Sequence, residues 1–425
     1  MLKNLESLFY SLIHWGERRL KTDLSYLLKG GFWLTSGQVA SSGASFILAI
    51  AFANLLPPET YGTYRYVLSV ASILAIPALG GINTSLIQAI AAGKEGSTTN
   101  ALSTKLRYGL LGSLASLIGS AYYLMNANIT LATSFVVVAL FLPIMESYNL
   151  YDSILQGRKD FRRSAIFNAA IQTFAALGII TTLLLTKNVV LLIGAYFFFW
   201  MCGRLFLWRY VRTRTPQLNS EKDPRTVPFG KHLSLMGVGN AVAQYADRVL
   251  LFQNIGAAEV AVYSIAIAMP EQVKALLQSV TTLLLPRYSG QSAQSIRATI
   301  WRKASLLGLA ALAGALAYIV IIPFLFPIFF PKYVNAIVYS QLYALSLVAV
   351  VGSIFSTALQ ALHKTRALYI INIVQPIVQI TTLTIGIIFF GVMGAILARV
   401  ITRLVMLTFT GILYAIAGAP PSAQS

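Results

Sequence analysis

From residue 31 to residue 415, long apolar runs alternate with short polar connections. A helix needs about 20 apolar residues, rising 1.5 Å each, to cross roughly 30 Å of hydrocarbon. Twelve runs meet that requirement. The first six lie near 31–55, 62–90, 106–125, 131–155, 164–186 and 189–209. The second six lie near 232–254, 258–284, 304–330, 335–360, 367–390 and 392–415. The pattern predicts an all-α integral membrane protein with about twelve transmembrane helices in two six-helix bundles.

Composition agrees with that pattern. The chain is 57% hydrophobic and only 11% charged, against about 25% charged residues in soluble domains. Net charge is +19. On a soluble protein that excess would suggest nucleic acid, but here the basic residues cluster between apolar runs, so no nucleic-acid partner is expected. Alternate connections carry Lys94, Lys105 and Arg107, then Arg158 to Arg163, then Arg209 to Lys231, then Arg287 to Lys303, then Lys364 and Arg366. The other set has only Lys187 and Lys332. The positive-inside rule makes the rich set cytoplasmic, with both termini on that side of a cell membrane. The single cysteine, Cys202, excludes an intrachain disulfide. One cysteine and three histidines leave a metal site or haem unexpected, and no cofactor is expected.

The organisation follows from these features. Residues 1–30 lack a clean signal-peptide core. Leu2, Leu5, Leu8, Phe9, Leu12 and Ile13 recur there at helical spacing, which fits an interfacial amphipathic segment or, alternatively, a disordered cytoplasmic tail. Residues 31–209 form the first bundle, 210–231 a cytoplasmic linker, 232–416 the second bundle and 417–425 a tail. Weak internal matches join the halves. Tyr64 meets Tyr263 and Arg204 meets Arg403 at one offset, and Arg162 meets Arg366 and Asn168 meets Asn372 at a slightly longer one. Six spans per half, both starting on the same side, make these parallel repeats.

The chemistry is carried by charges inside the spans, because such residues are costly in lipid and usually face water or a partner. Asn240, Gln244 and Asp247 stand at i, i+4, i+7 on one face of the seventh run. Arg248 is adjacent, about 100° around the helix. Glu271, Lys274 and Gln278 share a face of the eighth, and Glu146, Asp152 and Gln156 mark the fourth. Gln38, Ser41, Ser42 and Ser45 mark the first, and Arg399 and Arg403 the twelfth. Stripes on the first, fourth, seventh and eighth runs are expected to face one cavity between the bundles. Arg248, Lys274, Arg403, Arg65, Asn240 and Gln244 are the candidate substrate-binding residues. Asp247, Glu271 and Glu146 are the candidate sites for H+ or Na+. Each has a structural alternative: Glu271 and Lys274 at i, i+3 can pair locally, Arg65 can snorkel, and Arg403 can cap backbone carbonyls.

Two stretches resemble a known family. FANLLPPETYGTYRYVLSVAS (Phe52 to Ser72), with Pro58, Glu59, Tyr61 and Gly62, is similar to the opening signature of Wzx-type polysaccharide flippases. ADRVLLFQNIGAAEVAVYSIA, with Asp247-Arg248 and Tyr263-Ser264, resembles their seventh helix and the turn after it. The resemblance covers essentially the whole chain, apart from an N-terminal extension of some thirty residues. It implies the multidrug/oligosaccharidyl-lipid/polysaccharide (MOP) exporter fold. It also implies alternating-access movement of a polyprenyl-pyrophosphate-linked oligosaccharide, with polysaccharide polymerase and export proteins as partners.

The residues fit that expectation independently. Arg, with its planar fork, suits a pyrophosphate. No GxxxxGK[ST] loop occurs, so ATP hydrolysis is not expected; an ion gradient or consumption of product would drive transport. The rival reading on the same fold is an ion-coupled multidrug-type antiporter, which would favour an acidic cavity. A membrane-embedded polymerase or ligase would need a large external loop, and none is visible, so an enzyme is not expected.

Overall fold

The computed structural model describes residues 24–214, 219–282, 293–362 and 364–417. Most of the expected amphipathic segment 1–30, part of the linker and nearly all of the tail 417–425 lie outside the described residues. The described residues are helical, with no strand.

The first half comprises α1 (Leu24–Leu55), α2 (Pro58–Leu74), α3 (Gly81–Ala91), α4 (Ser97–Met125), α5 (Ile129–Ser147), α6 (Leu150–Gly157), α7 (Phe161–Leu185) and α8 (Val189–Arg214). The second comprises α9 (Thr226–Asn254), α10 (Ala257–Thr282), α11 (Ala293–Phe329), α12 (Ile337–Ala344), α13 (Gly352–Ala361) and α14 (Thr365–Ala417). Three spans are interrupted and one helix, α14, holds two spans, which together reconcile fourteen helices with twelve crossings. α2 and α3 are one span bent by 42°. Its break holds Pro77, a left-handed Leu79 (φ 57°) and the Gly80-Gly81 pair. α5 and α6 make the fourth span, and α12 and α13, with the 3-10 turns beside them, make the tenth.

α14 is two spans in one continuous helix assignment. Fifty-three residues would reach about 80 Å at 1.5 Å each, far more than a bilayer. The chain reverses at Gly391 (φ 58°, ψ −133°), a conformation open essentially to glycine. The two arms then pack backbone to backbone: a Cβ built on Gly394 would lie 1.7 Å from the Gly386 carbonyl oxygen. Small residues permit such close helix contact in membranes.

Apolar patterning located all twelve spans but underestimated several ends. α4 begins nine residues before its apolar run, and α11 eleven before its own. Apolarity reports the hydrocarbon core, whereas backbone hydrogen bonding carries a helix on into the interface.

Connections on one face of the molecule, the basic side, include Lys94, Lys159 and Arg225. On the opposite, far side, the described connections hold Lys187 and Lys332. The packing differs between these sides. Toward the far side a single core joins the halves, with Phe52, Tyr61 and Tyr64 meeting Tyr263, Phe326 and Phe330. Toward the basic side each half has its own core. Ile82, Leu150 and Trp208 belong to the first, and Ile300, Phe355 and Tyr414 to the second. The halves also touch along one basic-side edge, where the Gly81 amide donates to Ser234 Oγ at 3.0 Å. A cavity therefore lies between shared packing on one side and separated cores on the other.

Candidate functional site

The cavity measures about 610 Å³. Its walls come from α9, α10, α14 and the α12–α13 span, with Arg65 of α2 contributed by the first half. Arg248 and Arg399 stand in its far third, while Gln278 and Thr410 stand toward the basic side. Among the described residues, five cations line it (Arg65, Arg248, Lys274, Arg399 and Arg403) against one carboxylate, Glu271.

Two charge clusters organise the walls, one per turn of α14, the first buried and the second partly open to the cavity. In the first, Asp247 is fully buried and anchored from three directions. Its Oδ2 accepts from Arg399 Nη2 at 2.5 Å and Nε at 3.1 Å, and from the Tyr263 hydroxyl at 2.6 Å. Its Oδ1 accepts from the Arg248 backbone amide at 2.8 Å. Arg399 also donates to the Gln244 carbonyl at 2.6 Å, tying α14 to α9. A carboxylate in this setting has to be paired and hydrogen-bonded on both oxygens, and that requirement is met. In the second cluster, Glu271 accepts from Arg403 Nη2 and the Tyr343 hydroxyl on one oxygen. Its other oxygen accepts from Lys274 Nζ at 3.2 Å. Arg403 donates further to Ser346 Oγ at 2.8 Å and lies 4.9 Å over the Tyr343 ring, a cation–π distance.

Beside these satisfied groups are unsatisfied ones. The Nε atoms of Arg65 and Arg248 are buried without a hydrogen-bond partner, as is Asn240 Oδ1. Asn240 donates its amide to Asn372 Oδ1 at 3.0 Å. The Arg248 guanidinium stands 3.7 Å from Asp247 Oδ1, beyond hydrogen-bond reach. Arg65 comes from α2 and Arg248 from α9, so donors left over from the protein's own bonding belong to both halves.

The structure thus brings Arg65, Asn240, Gln244, Arg248, Glu271, Lys274 and Arg403 to one cavity. Two other residues singled out in the sequence do not reach its wall. Asp247 sits behind Arg399. Glu146 lies in the first half, where its carboxylate accepts from Arg204 Nη1 at 3.2 Å. The stripe on α1 does not line the cavity either. Gln38 donates to Ser42, and Ser45 accepts from Gln172 of α7. On α6, Asp152 accepts from Gln156, Ser164 and Asn168 within its own half. A polar stripe on a membrane helix meets either water or another helix; Ser45 and Asp152 meet helix α7, and Gln38 bonds within α1. Tyr343, Ser346 and Gln379 were not singled out in the sequence, because a lone tyrosine, serine or glutamine in an apolar run carries no periodic signal. Arg399 had such a signal: it lies four residues before Arg403, on the same face.

The far side is closed over this cavity by two polar contacts between halves. Gln253 donates to the hydroxyls of Tyr66 at 2.9 Å and Tyr123 at 3.0 Å, and Phe252 stacks on Tyr66 with centroids 3.9 Å apart. On the opposite edge, Asn54 donates to the Phe329 carbonyl at 2.8 Å and Lys332 to the Asn54 carbonyl at 2.6 Å.

Residues 27–291, well over half the chain, match the family described as "Polysaccharide biosynthesis protein". A sequence comparison with curated proteins finds no match. Among solved structures, the chain resembles the lipid II flippase MurJ in an inward closed conformation. The TM-score is 0.72 at 12% identity, covering 89% of this chain and 86% of that one. It also resembles an inward-facing multidrug resistance MATE family transporter of the MOP superfamily, with TM-score 0.66, 13% identity and 92% and 98% coverage. A third likeness is to MATE in complex with MaD5, with TM-score 0.65, 14% identity and 94% and 98% coverage. At these identities the likeness concerns the fold, and it extends over both halves. With two six-helix bundles closed at one side around a buried polar cavity, the chain belongs to the polysaccharide biosynthesis protein family and has the fold of the MOP transporters.

Proposed function

We propose that the chain is a flippase. It carries the anionic head group of a polyprenyl-pyrophosphate-linked oligosaccharide across the cytoplasmic membrane by alternating access. The observation that carries this reading is the pair Arg65 and Arg248. Each has a guanidinium nitrogen buried without a partner, each lines the same cavity, and each comes from a different half. A bidentate-binding anion would satisfy both at once, and would draw the halves together in doing so. Family membership in polysaccharide biosynthesis supports a glycan cargo. Cavities of about 610 Å³ hold drug-sized ligands, enough for a pyrophosphate and the sugars next to it.

The positive-inside rule makes the basic side cytoplasmic, so the cavity faces the compartment where such glycans are built. Glu271 is the candidate proton site on the wall: an anion that takes Arg403 and Lys274 from it would leave its carboxylate unpaired and able to accept a proton. An exporter of organic cations is disfavoured, since five cationic side chains on the wall repel such cargo.

The test is flipping of a pyrophosphate-linked glycolipid in liposomes, read beside protein abundance. Arg248→Ala should lose flipping while the protein remains inserted, and Arg248→Lys should recover part of it, since charge survives without the fork. Arg65→Ala should behave like Arg248→Ala. Normal flipping by both alanine variants would overturn the reading.

A further inference from the structure

The cavity accounts for a charged head group but not for a hydrocarbon tail. A second space of about 500 Å³ lies between α1, α10 and α11, walled by Phe46, Met269, Val273, Leu276 and Ile321. Its polar wall residues are Ser42, Gln272 and Tyr318. Ser42 accepts from Gln38, and the Tyr318 hydroxyl is bonded to Ser340 at 2.6 Å, so both hydroxyls are already engaged.

α10 is the wall shared by the two spaces. Ile267, Glu271, Lys274 and Gln278, at i, i+4, i+7, i+11, face the cavity. Met269, Val273 and Leu276, at i, i+4, i+7, face the groove. One helix, about 10 Å thick, thus separates a cationic surface from a hydrocarbon one. The two stripes overlap in depth: Met269 and Leu276 lie about 18 and 28 Å below the far end of α10, and Glu271 and Lys274 about 21 and 25 Å. Two glycines border open space in the groove. A Cβ on Gly43 or on Gly314 would meet nothing within 4 Å.

Resting on the function proposed above, we infer that this groove seats the polyprenyl chain of the substrate whose pyrophosphate occupies the cavity. The occupant must be a thin, flexible hydrocarbon joined to an anion. The groove overlaps the anion site in depth across one shared helix, and two of its three polar wall residues already have their hydroxyls engaged.

The experiment plugs the groove from its open positions. Gly43→Leu/Gly314→Leu adds side chains into free space, away from the cavity. Two probes are used: a soluble pyrophosphate diester for head-group binding, and an undecaprenyl-pyrophosphate disaccharide in liposomes for flipping. The plugged protein should bind the diester within twofold of wild type and flip the long-chain lipid at least tenfold more slowly. Unchanged flipping with unchanged binding would overturn the groove assignment. Absence of diester binding by wild type would instead overturn the anion cavity, and the groove assignment with it. If the plugged protein fails to fold, wild type decides through a polyprenyl analogue carrying a photoreactive group near its pyrophosphate. Labelling at Met269, Val273, Leu276 and Gly314 to Leu325, displaced by unlabelled substrate, supports the inference. Labelling elsewhere, or equal groove labelling by a photoreactive phospholipid that substrate does not displace, overturns it.

Discussion

Arg204 and Arg403 occupy corresponding places, each on the last span of its half. Their surroundings differ. Arg204 donates to the Met145 carbonyl at 2.7 Å and to Glu146, and lies 5.0 Å over the Trp200 ring. Each of these contacts lies within the first half, away from the cavity. Arg403 also sits over an aromatic ring and also meets a glutamate, but it stands on the cavity wall, and that glutamate is shared with Lys274. The two positions, matched in the sequence, thus differ: one is a brace in the first half and the other part of a polar surface in the second. The difference lies in the count of charges. The first half pairs Glu146 with Arg204 and Glu95 with Arg158, whereas the cavity has more cations than carboxylates to hold them. Both arginines are paired, but the glutamate of Arg403 is shared with Lys274 and the pair stands on the cavity wall, where an anionic ligand can compete for it.

The largest effect is expected where the second half has a brace of its own, which limits the comparison to the matched pair Arg204 and Arg403. Arg399→Ala strands the fully buried Asp247 and should cost about 3–5 kcal/mol. Membrane abundance and thermal stability should fall together, and Asp247→Asn added to it should restore much of both. Next in size is the far-side seam. A Cβ on Gly62 would lie 1.6 Å from the Ala257 carbonyl oxygen, so Gly62→Ala should disfavour the closed seam by about 1–3 kcal/mol. Spin labels across the far rim should report a wider distance, and an unchanged distance would mean the seam yields elsewhere.

The comparison itself is tested by matched substitutions. Arg403→Met should weaken binding of a soluble pyrophosphate diester about tenfold, or about 1.4 kcal/mol, while Arg204→Met should leave it within twofold. Equal losses would erase the distinction between brace and surface. The smallest effect is expected from Gln253→Ala, which removes two neutral hydrogen bonds at the seam. It should shift the balance between closed and parted far rims by about 1 kcal/mol, measured with the same pair of spin labels.

Much of this was legible in the sequence. Twelve apolar runs, the repeat joining Arg204 to Arg403 and the stripe of Asn240 and Gln244 need only periodicity. Periodicity says that a helix face is polar, but it does not say what the face meets. Ser45 therefore looked like a cavity residue until Gln172 was found against it. Asp247 and Arg248 are neighbours in sequence, yet the firm partner of Asp247 is Arg399, on the last span of its half. No local pattern encodes a pairing over that distance. The groove was invisible for a different reason: Gly43 and Gly314 matter there for the space they leave.

The short tie between the halves has a mechanical consequence. Gly96 donates its amide to the Glu221 carbonyl at 2.8 Å, and the Asp223 amide donates to Ser97 Oγ at 2.8 Å. The connection is thus stitched to the first half just before α9 begins. A joint fixed at the basic edge turns the length of α9 into a lever arm of about 43 Å, from its 29 residues at 1.5 Å each. A tilt of only about 13° at that fulcrum would part the far rim by roughly 10 Å, with most of the travel far from the pivot. Gln253 and Lys332 lie where that travel is greatest, so a few hydrogen bonds there resist the motion with the full leverage of the span.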